Sequence, residues 1–228
     1  MSYKQTSFLV AILLLGSVVT ATPVMAQSSE TLVAQARNPR LKQLLERGRQ
    51  LVDAGDYNGA IAVYREAGKI DPKNPKIHSG IGFLYAQQGQ LQSALSSYRR
   101  AIALDGNNSD FYYAVGYIKG NLKDTEGAKE AYRRAIQLNR SNLNAYLGLG
   151  VTQTALGDYQ AATWAYEEAI KLDSNNPKIY ELMGAMFKKR RQTSQASSAL
   201  RKALNLYRND NDSAGVNRVQ NMLTQIGG

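Results

Sequence analysis

Few side chains in this sequence could carry out chemistry. The chain has one histidine, His78, and no cysteine. A multi-histidine metal site, a thiolate site and a cysteine nucleophile are therefore excluded. The adjacent carboxylates Glu167 and Glu168 would point about 100° apart on a helix, so they cannot act together on one substrate. No phosphate-binding, dinucleotide-binding, zinc-protease or serine-hydrolase motif occurs. We therefore expect no enzymatic activity, no metal and no cofactor.

Basic residues are the other chemically marked group. The 228-residue chain has a formal net charge of +10, which favours anionic partners without naming one. Arginine pairs recur 34 residues apart, and a KKRR cluster lies nearer the C-terminus. They could attach the protein to an anionic membrane or cell-wall surface, or form a solvated face that aids solubility. This candidate anionic-surface patch consists of Arg99, Arg100, Arg133, Arg134, Lys188, Lys189, Arg190 and Arg191.

Residues 1–26 have the order of a secretory signal peptide. Lys4 is followed by an apolar run that begins at Phe8, and small residues lead to Ala26. Cleavage after Ala26 would leave 27–40 as a polar linker. The alternative is an uncleaved anchor, because the segment from Phe8 to Ala26 (26 − 8 + 1 = 19 residues) is just long enough to span a bilayer. Either way, we expect export to the periplasm or another extracytoplasmic space, which argues against nucleic acid as a partner.

A period of 34 residues dominates the rest of the chain. Each period holds two stretches with apolar residues three and four apart, which indicates two helices, A and B. In the fourth period Gly157 supplies the left-handed turn between them. One such hairpin cannot bury its apolar face alone, so the copies must stack. The clearest column is Gly48, Gly82, Gly116, Gly150 and Gly184.

This pattern resembles the tetratricopeptide repeat (TPR) family. The helix-A position that is bulky or aromatic in the family holds Leu44, His78, Tyr112, Tyr146 and Tyr180. The resemblance implies an all-α fold, a right-handed α-solenoid of helix-turn-helix hairpins with a C-terminal capping helix. We place five repeats at 41–74, 75–108, 109–142, 143–176 and 177–210, and the capping helix within 211–228. Lys123 and Arg191 replace the turn glycine, which predicts a different turn or strain in those two hairpins.

The resemblance also implies a groove lined by the A helices. Its middle would be apolar and aromatic, which suits a segment of another protein. Small residues such as Gly148 would leave room for the backbone of that segment. We therefore expect a scaffold that supports assembly of an envelope or membrane-associated complex; the alternative is attachment to an anionic surface through the basic patch. The predicted groove residues are Arg49, Ser79, Phe83, Tyr113, Tyr117, Leu147, Val151 and Glu181.

Overall fold

The computed structural model describes residues 39–227, which form eleven α-helices and no strand. The predicted signal peptide and most of the predicted linker lie outside these residues. The helices are α1 (Pro39–Asp53), α2 (Tyr57–Ile70), α3 (Pro75–Gln87), α4 (Leu91–Leu104), α5 (Ser109–Asn121), α6 (Thr125–Leu138), α7 (Leu143–Leu156), α8 (Tyr159–Leu172), α9 (Pro177–Lys189), α10 (Thr193–Asn209) and α11 (Ser213–Thr224). The odd-numbered helices α1 to α9 are the A helices, and the even-numbered helices are the B helices.

Helix contacts divide the chain into two compact units, with the boundary between Ile118 and Lys119 in α5. In unit 1, α1 packs on α2, α2 on α3, and α3 on α4. In unit 2, each helix from α6 to α11 packs on the next, and α7 also packs on α9. Consecutive helix pairs therefore stack within each unit, and the predicted all-α solenoid fold is confirmed.

The hairpins of the first, second, fourth and fifth repeats are closed by a close approach between an A-helix glycine and a B-helix side chain. A Cβ added to Gly82 would lie 2.7 Å from Cδ2 of Tyr98, and one added to Gly184 would lie 2.6 Å from Cδ2 of Leu200. Such distances are too short for a real Cβ, so the two helices can approach this closely only through glycine. The B-helix alanine column is fully buried beside these contacts. It consists of Ala60, Ala94, Ala128, Ala162 and Ala196.

The A-to-B turns share one backbone conformation. Gly55, Gly89 and Gly157 have φ of 76°, 73° and 83°, and Lys123 and Arg191 have φ of 66° and 58°. The two hairpins that lack glycine therefore keep the left-handed turn and carry strain, since a Cβ disfavours this conformation. The sequence predicted either a different turn or strain in these two hairpins. The structure shows the same turn, with strain.

We expect Arg191→Gly to stabilise the protein. A side chain in the left-handed region costs about 1–2 kcal/mol, and glycine loses part of that gain through its freedom in the unfolded chain. The free energy of unfolding in urea should therefore rise by about 1 kcal/mol. Gly157→Ala is the matched control and should lower it by a similar amount. A lower stability of Arg191→Gly would contradict the expectation.

Helix α11 covers the last hairpin of unit 2. Its N-cap Asp212 accepts a hydrogen bond from the backbone N–H of Gly215 at 2.8 Å. Val219 is fully buried and Leu223 is 8% exposed, and both belong to one core cluster with Leu200 of α10. The apolar end of the stack is thus closed by an amphipathic helix, as stacked repeats require.

Candidate functional site

The accessible part of the predicted groove in unit 1 lies on α5. Tyr117 is 46% exposed and Tyr113 is half-buried. Burial raises the pKa of the Tyr113 hydroxyl, and nearby Tyr117 and Asp110 raise it further. Burial also raises the pKa of the Asp110 carboxyl above its usual range. The two rings and this carboxyl group therefore form one cluster, in which Tyr117 is the most exposed member.

The α1 and α3 residues of the predicted groove are less accessible. Phe83 and Ser79 are only 5% and 6% exposed, because α3 packs against both α2 and α4. Ser79 donates its hydroxyl to the main-chain carbonyl of Lys76 at 3.1 Å. Arg49 on α1 is half-buried, and its Nη1 lies 3.3 Å from Oε2 of Glu46. A buried side chain cannot contact a partner in this conformation, so Phe83 and Ser79 are left out of the surface proposed below.

In unit 2 the exposed groove residue is Val151 on α7. It is 45% exposed, whereas Leu147 is half-buried and packs on the core around Tyr146. A Cβ added to Gly148 would overlap the ring of Tyr132 on α6. The space beside this glycine is therefore filled by the preceding B helix and is not the room for a peptide backbone that the sequence suggested.

Glu181 on α9 is 7% exposed and ties three helices together. Its Oε2 accepts a hydrogen bond of 2.5 Å from Tyr207 on α10, and its Oε1 lies 3.4 Å from Nε of Arg218 on α11. Lys178 donates to the same Oε1 at 3.0 Å. Burial by itself would raise the pKa of Glu181, but the Tyr207 hydroxyl and the two cations hold that pKa below its ordinary value. The charge is therefore engaged within unit 2, and Glu181 is also left out of the proposed surface.

The KKRR cluster at the end of α9 contacts its own unit. Lys188 donates a hydrogen bond to a glutamine just after α11, and Nζ of Lys189 donates to a main-chain carbonyl in α7 at 2.8 Å. The guanidinium of Arg190 lies 5.2 Å from the centroid of the Tyr159 ring at the start of α8. Arg191 occupies the left-handed turn. These contacts give the cluster a role in packing whether or not it also meets an anionic surface.

The four B-helix arginines of the candidate patch are exposed, two in each unit. In unit 1, Nε of Arg100 lies 3.3 Å from Nε2 of the single histidine. In unit 2, Nη1 of Arg133 lies 3.8 Å from a glutamate on the same helix, and Arg134 donates to a glutamine at 3.3 Å. At the corresponding places α8 carries Glu167 and Glu168. The sign of the charge on the B helices therefore changes within unit 2.

The described part of the chain has neither a metal-binding cluster nor a helix suited to a bilayer. Residues 39–227 contain no group of three or more histidine, aspartate and glutamate side chains placed to hold a metal ion. None of the eleven described helices combines the length and the apolar character needed to cross a bilayer.

Several solved structures share this architecture. The crystal structure of MamA is similar, with 27% identity and a TM-score of 0.65 over 72% of this chain and 95% of that one. The fold is shared with YrrB, described as a TPR protein with an unusual peptide-binding site (18% identity, TM-score 0.63, 83% and 97% coverage). It is also shared with PilF of Pseudomonas aeruginosa (19% identity, TM-score 0.64, 84% and 93% coverage). No curated protein matches the sequence significantly.

Family models match the chain along most of the described residues. A model of the TPR repeat matches residues 48–89, 84–123 and 152–190, and a model of the tetratricopeptide repeat matches 109–142. Together these matches span 48–142 and 152–190, which is more than half of the 228 residues. The chain is therefore a member of the tetratricopeptide repeat family.

Proposed function

We propose that this protein is a non-enzymatic scaffold that binds a segment of a partner protein on the A-helix side of its hairpins. One observation carries the proposal: Tyr117 and Val151 hold the same place in two successive repeats and are 46% and 45% exposed. A large apolar side chain that is exposed at this position favours an interaction surface in each unit, on α5 in unit 1 and on α7 in unit 2. Covering them would remove apolar area from water, and the Tyr117 hydroxyl would add a polar contact.

Two further points support this reading. Stacked helical repeats serve as extended binding surfaces, and the similar YrrB structure is described as having a peptide-binding site. The signal-peptide pattern of residues 1–26 supports the additional proposal that the protein is exported and that its partner belongs to an envelope or membrane-associated complex. Attachment through the candidate anionic-surface patch is the competing mode of binding. The experiment below distinguishes the two modes by a wash at high salt.

The expected result is that Tyr117→Ala/Val151→Ala loses a partner that the unmodified protein retains. Tagged protein is expressed in its native host and captured from the envelope fraction, with washes at low and high salt. Apolar contacts resist salt, whereas contacts between exposed charges are screened by it. The matched control is Leu104→Ala/Leu172→Ala, which removes two B-helix side chains of similar exposure, 38% and 41%.

A protein held through the high-salt wash by the unmodified chain and by the control, but lost by Tyr117→Ala/Val151→Ala, would support the groove. Equal retention by all three proteins at high salt would contradict it. If high salt removes every captured protein from all three, the groove proposal fails. The candidate anionic-surface patch then becomes the leading site.

A further inference from the structure

The exposed stripe of α8 carries an aromatic ring. Gln160, Trp164, Glu167 and Lys171 follow one another at spacings of four, three and four, and all are exposed. Side chains three and four apart on a helix are neighbours on one face. Trp164 is 47% exposed, and its ring meets Tyr146 at a centroid distance of 5.9 Å and an interplanar angle of 63°. One side of the indole is therefore supported by the protein, while much of its surface faces solvent.

The other repeats show that this stripe is unusual. The place of Trp164 is held elsewhere by a small or polar residue. The place of Glu167 is held by arginine in the other four repeats. The fourth repeat thus departs in two neighbouring places at once, by gaining a large ring and by reversing a charge. The residues in those places are Ala62, Ser96, Glu130 and Ser198 in the first column, and Arg65, Arg99, Arg133 and Arg201 in the second.

Elsewhere the protein covers aromatic rings with its own cations. An arginine or lysine lies 4.3–5.9 Å from the ring centroids of Tyr85, Tyr159, Tyr180 and Tyr207. Among residues 39–227 no such cation covers Trp164, although indole is the strongest partner for a cation. Glu168 pairs with Lys171 at 2.5 Å, but no ion pair in the described part of the chain involves Glu167. Side chains on a helix lean toward its N-terminus, which brings Glu167 toward Trp164.

We propose that Trp164 and Glu167 form a second docking surface, on the B-helix side of the fourth repeat, for an arginine-bearing segment of a partner protein. The guanidinium stacks on the exposed indole face and donates hydrogen bonds to the Glu167 carboxylate. Arginine suits this pair better than lysine, because its planar group stacks and donates at the same time. Charge complementarity favours this occupant, because Glu167 is the acidic residue of the stripe and the stripe's cation, Lys171, pairs with Glu168, on a protein whose formal net charge is +10. The other four repeats hold arginine at the place of Glu167 and would repel a cationic segment there.

The test uses the fact that Trp164 is the only tryptophan in the chain. Its emission therefore reports this site alone. The full chain is titrated with acetyl-Gly-Arg-Gly-Arg-Gly-Arg-amide, with the lysine and glutamate versions of the peptide, and with chitotetraose as an uncharged sugar probe. We expect a saturable change with the arginine peptide, a weaker one with lysine, and none with glutamate or the sugar.

Substitutions distinguish binding at this site from general charge attraction. Binding of the peptide to each variant is measured by calorimetry. Glu167→Arg gives the fourth repeat the positive charge that the other repeats carry at this place. It should weaken binding of the arginine peptide by about tenfold. Trp164→Ser, which copies the second and fifth repeats, should weaken it by a similar factor, whereas Trp164→Phe should retain part of the affinity. Glu130→Arg makes the same charge change on α6 and should alter binding less than about twofold.

Three results would overturn the proposal. The first is the absence of a saturable change with the arginine peptide. The second is equal weakening by Glu167→Arg and Glu130→Arg, which would reveal only general electrostatics. The third is a response to chitotetraose instead of the peptide, which would make Trp164 a sugar platform. The substituted side chains are exposed, and circular dichroism of each variant checks that the helices remain folded.

Discussion

Gly150→Ala is expected to lower the free energy of unfolding by about 1–3 kcal/mol. On an ordinary helix the same change is stabilising, because alanine is the better helix former by about 1 kcal/mol. Here the added Cβ would lie 2.6 Å from Cζ of Tyr166. That ring is 1% exposed, and burial raises the pKa of its hydroxyl to about 12. A side chain enclosed on all sides cannot move away, so α7 and α8 must separate.

Gly68→Ala is the matched control for this substitution. Gly68 also lies in a helix, but its added Cβ would meet only Cγ2 of Ile77, at an ordinary 3.6 Å. We therefore expect Gly68→Ala to raise the stability by about 0.5–1 kcal/mol. Tyr166→Ala alone should cost about 3–5 kcal/mol. In the double variant Gly150→Ala/Tyr166→Ala, the glycine change should cost almost nothing, because the ring it meets is gone. Additive costs would show that Tyr166 is not the obstacle.

The glycine column shows which part of the fold can be predicted from the sequence. A residue without a Cβ that recurs every 34 positions is expected to face a bulky side chain, and the column 16 residues later supplies one. That column holds tyrosine in the first four repeats and Leu200 in the fifth. Repetition of the pattern made the fold class predictable. The strain at Lys123 and Arg191 was not predictable, because the sequence shows a missing glycine but not whether the backbone follows the others into positive φ.

The exposure of the groove residues could not be predicted from the sequence in the same way. Phe83 and Tyr117 hold the same place in neighbouring repeats, yet they are 5% and 46% exposed. The repeat position fixes the direction of a side chain, whereas its burial depends on the side chains that adjacent helices bring to it. Glu181 shows the same limit, because Tyr207 and Arg218 lie 26 and 37 residues further along the chain. A charged residue at a groove position could not be recognised from the sequence as part of a packing network.

Arg218→Met is expected to destabilise the attachment of α11 by about 1–2 kcal/mol. Removing one partner of a fully buried ion pair costs about 3–5 kcal/mol. The smaller figure applies here because the Arg218 side chain is 37% exposed and water screens part of its charge. Methionine keeps an apolar stem beside the Tyr207 ring. Hydrogen exchange of the α11 amides should therefore accelerate more than exchange elsewhere in unit 2. Arg208→Met removes an exposed arginine of α10 and should change exchange little, so equal acceleration in both variants would contradict a specific role of Arg218.

Lowering the pH should weaken the packing of α9, α10 and α11 around Glu181. Because its pKa is lowered in the folded protein, its ionised form contributes stability above the unfolded value of about 4.3. That contribution is lost as the pH falls through the lowered folded pKa. Glu181→Gln keeps the shape of the side chain but has no charge to lose. The stability difference between the unmodified protein and this variant should therefore be largest above about pH 4.3 and shrink as the pH falls further. Urea unfolding at a series of pH values measures it. A difference that stays constant down to pH 2 would mean that the Glu181 charge does not stabilise the junction of α9, α10 and α11.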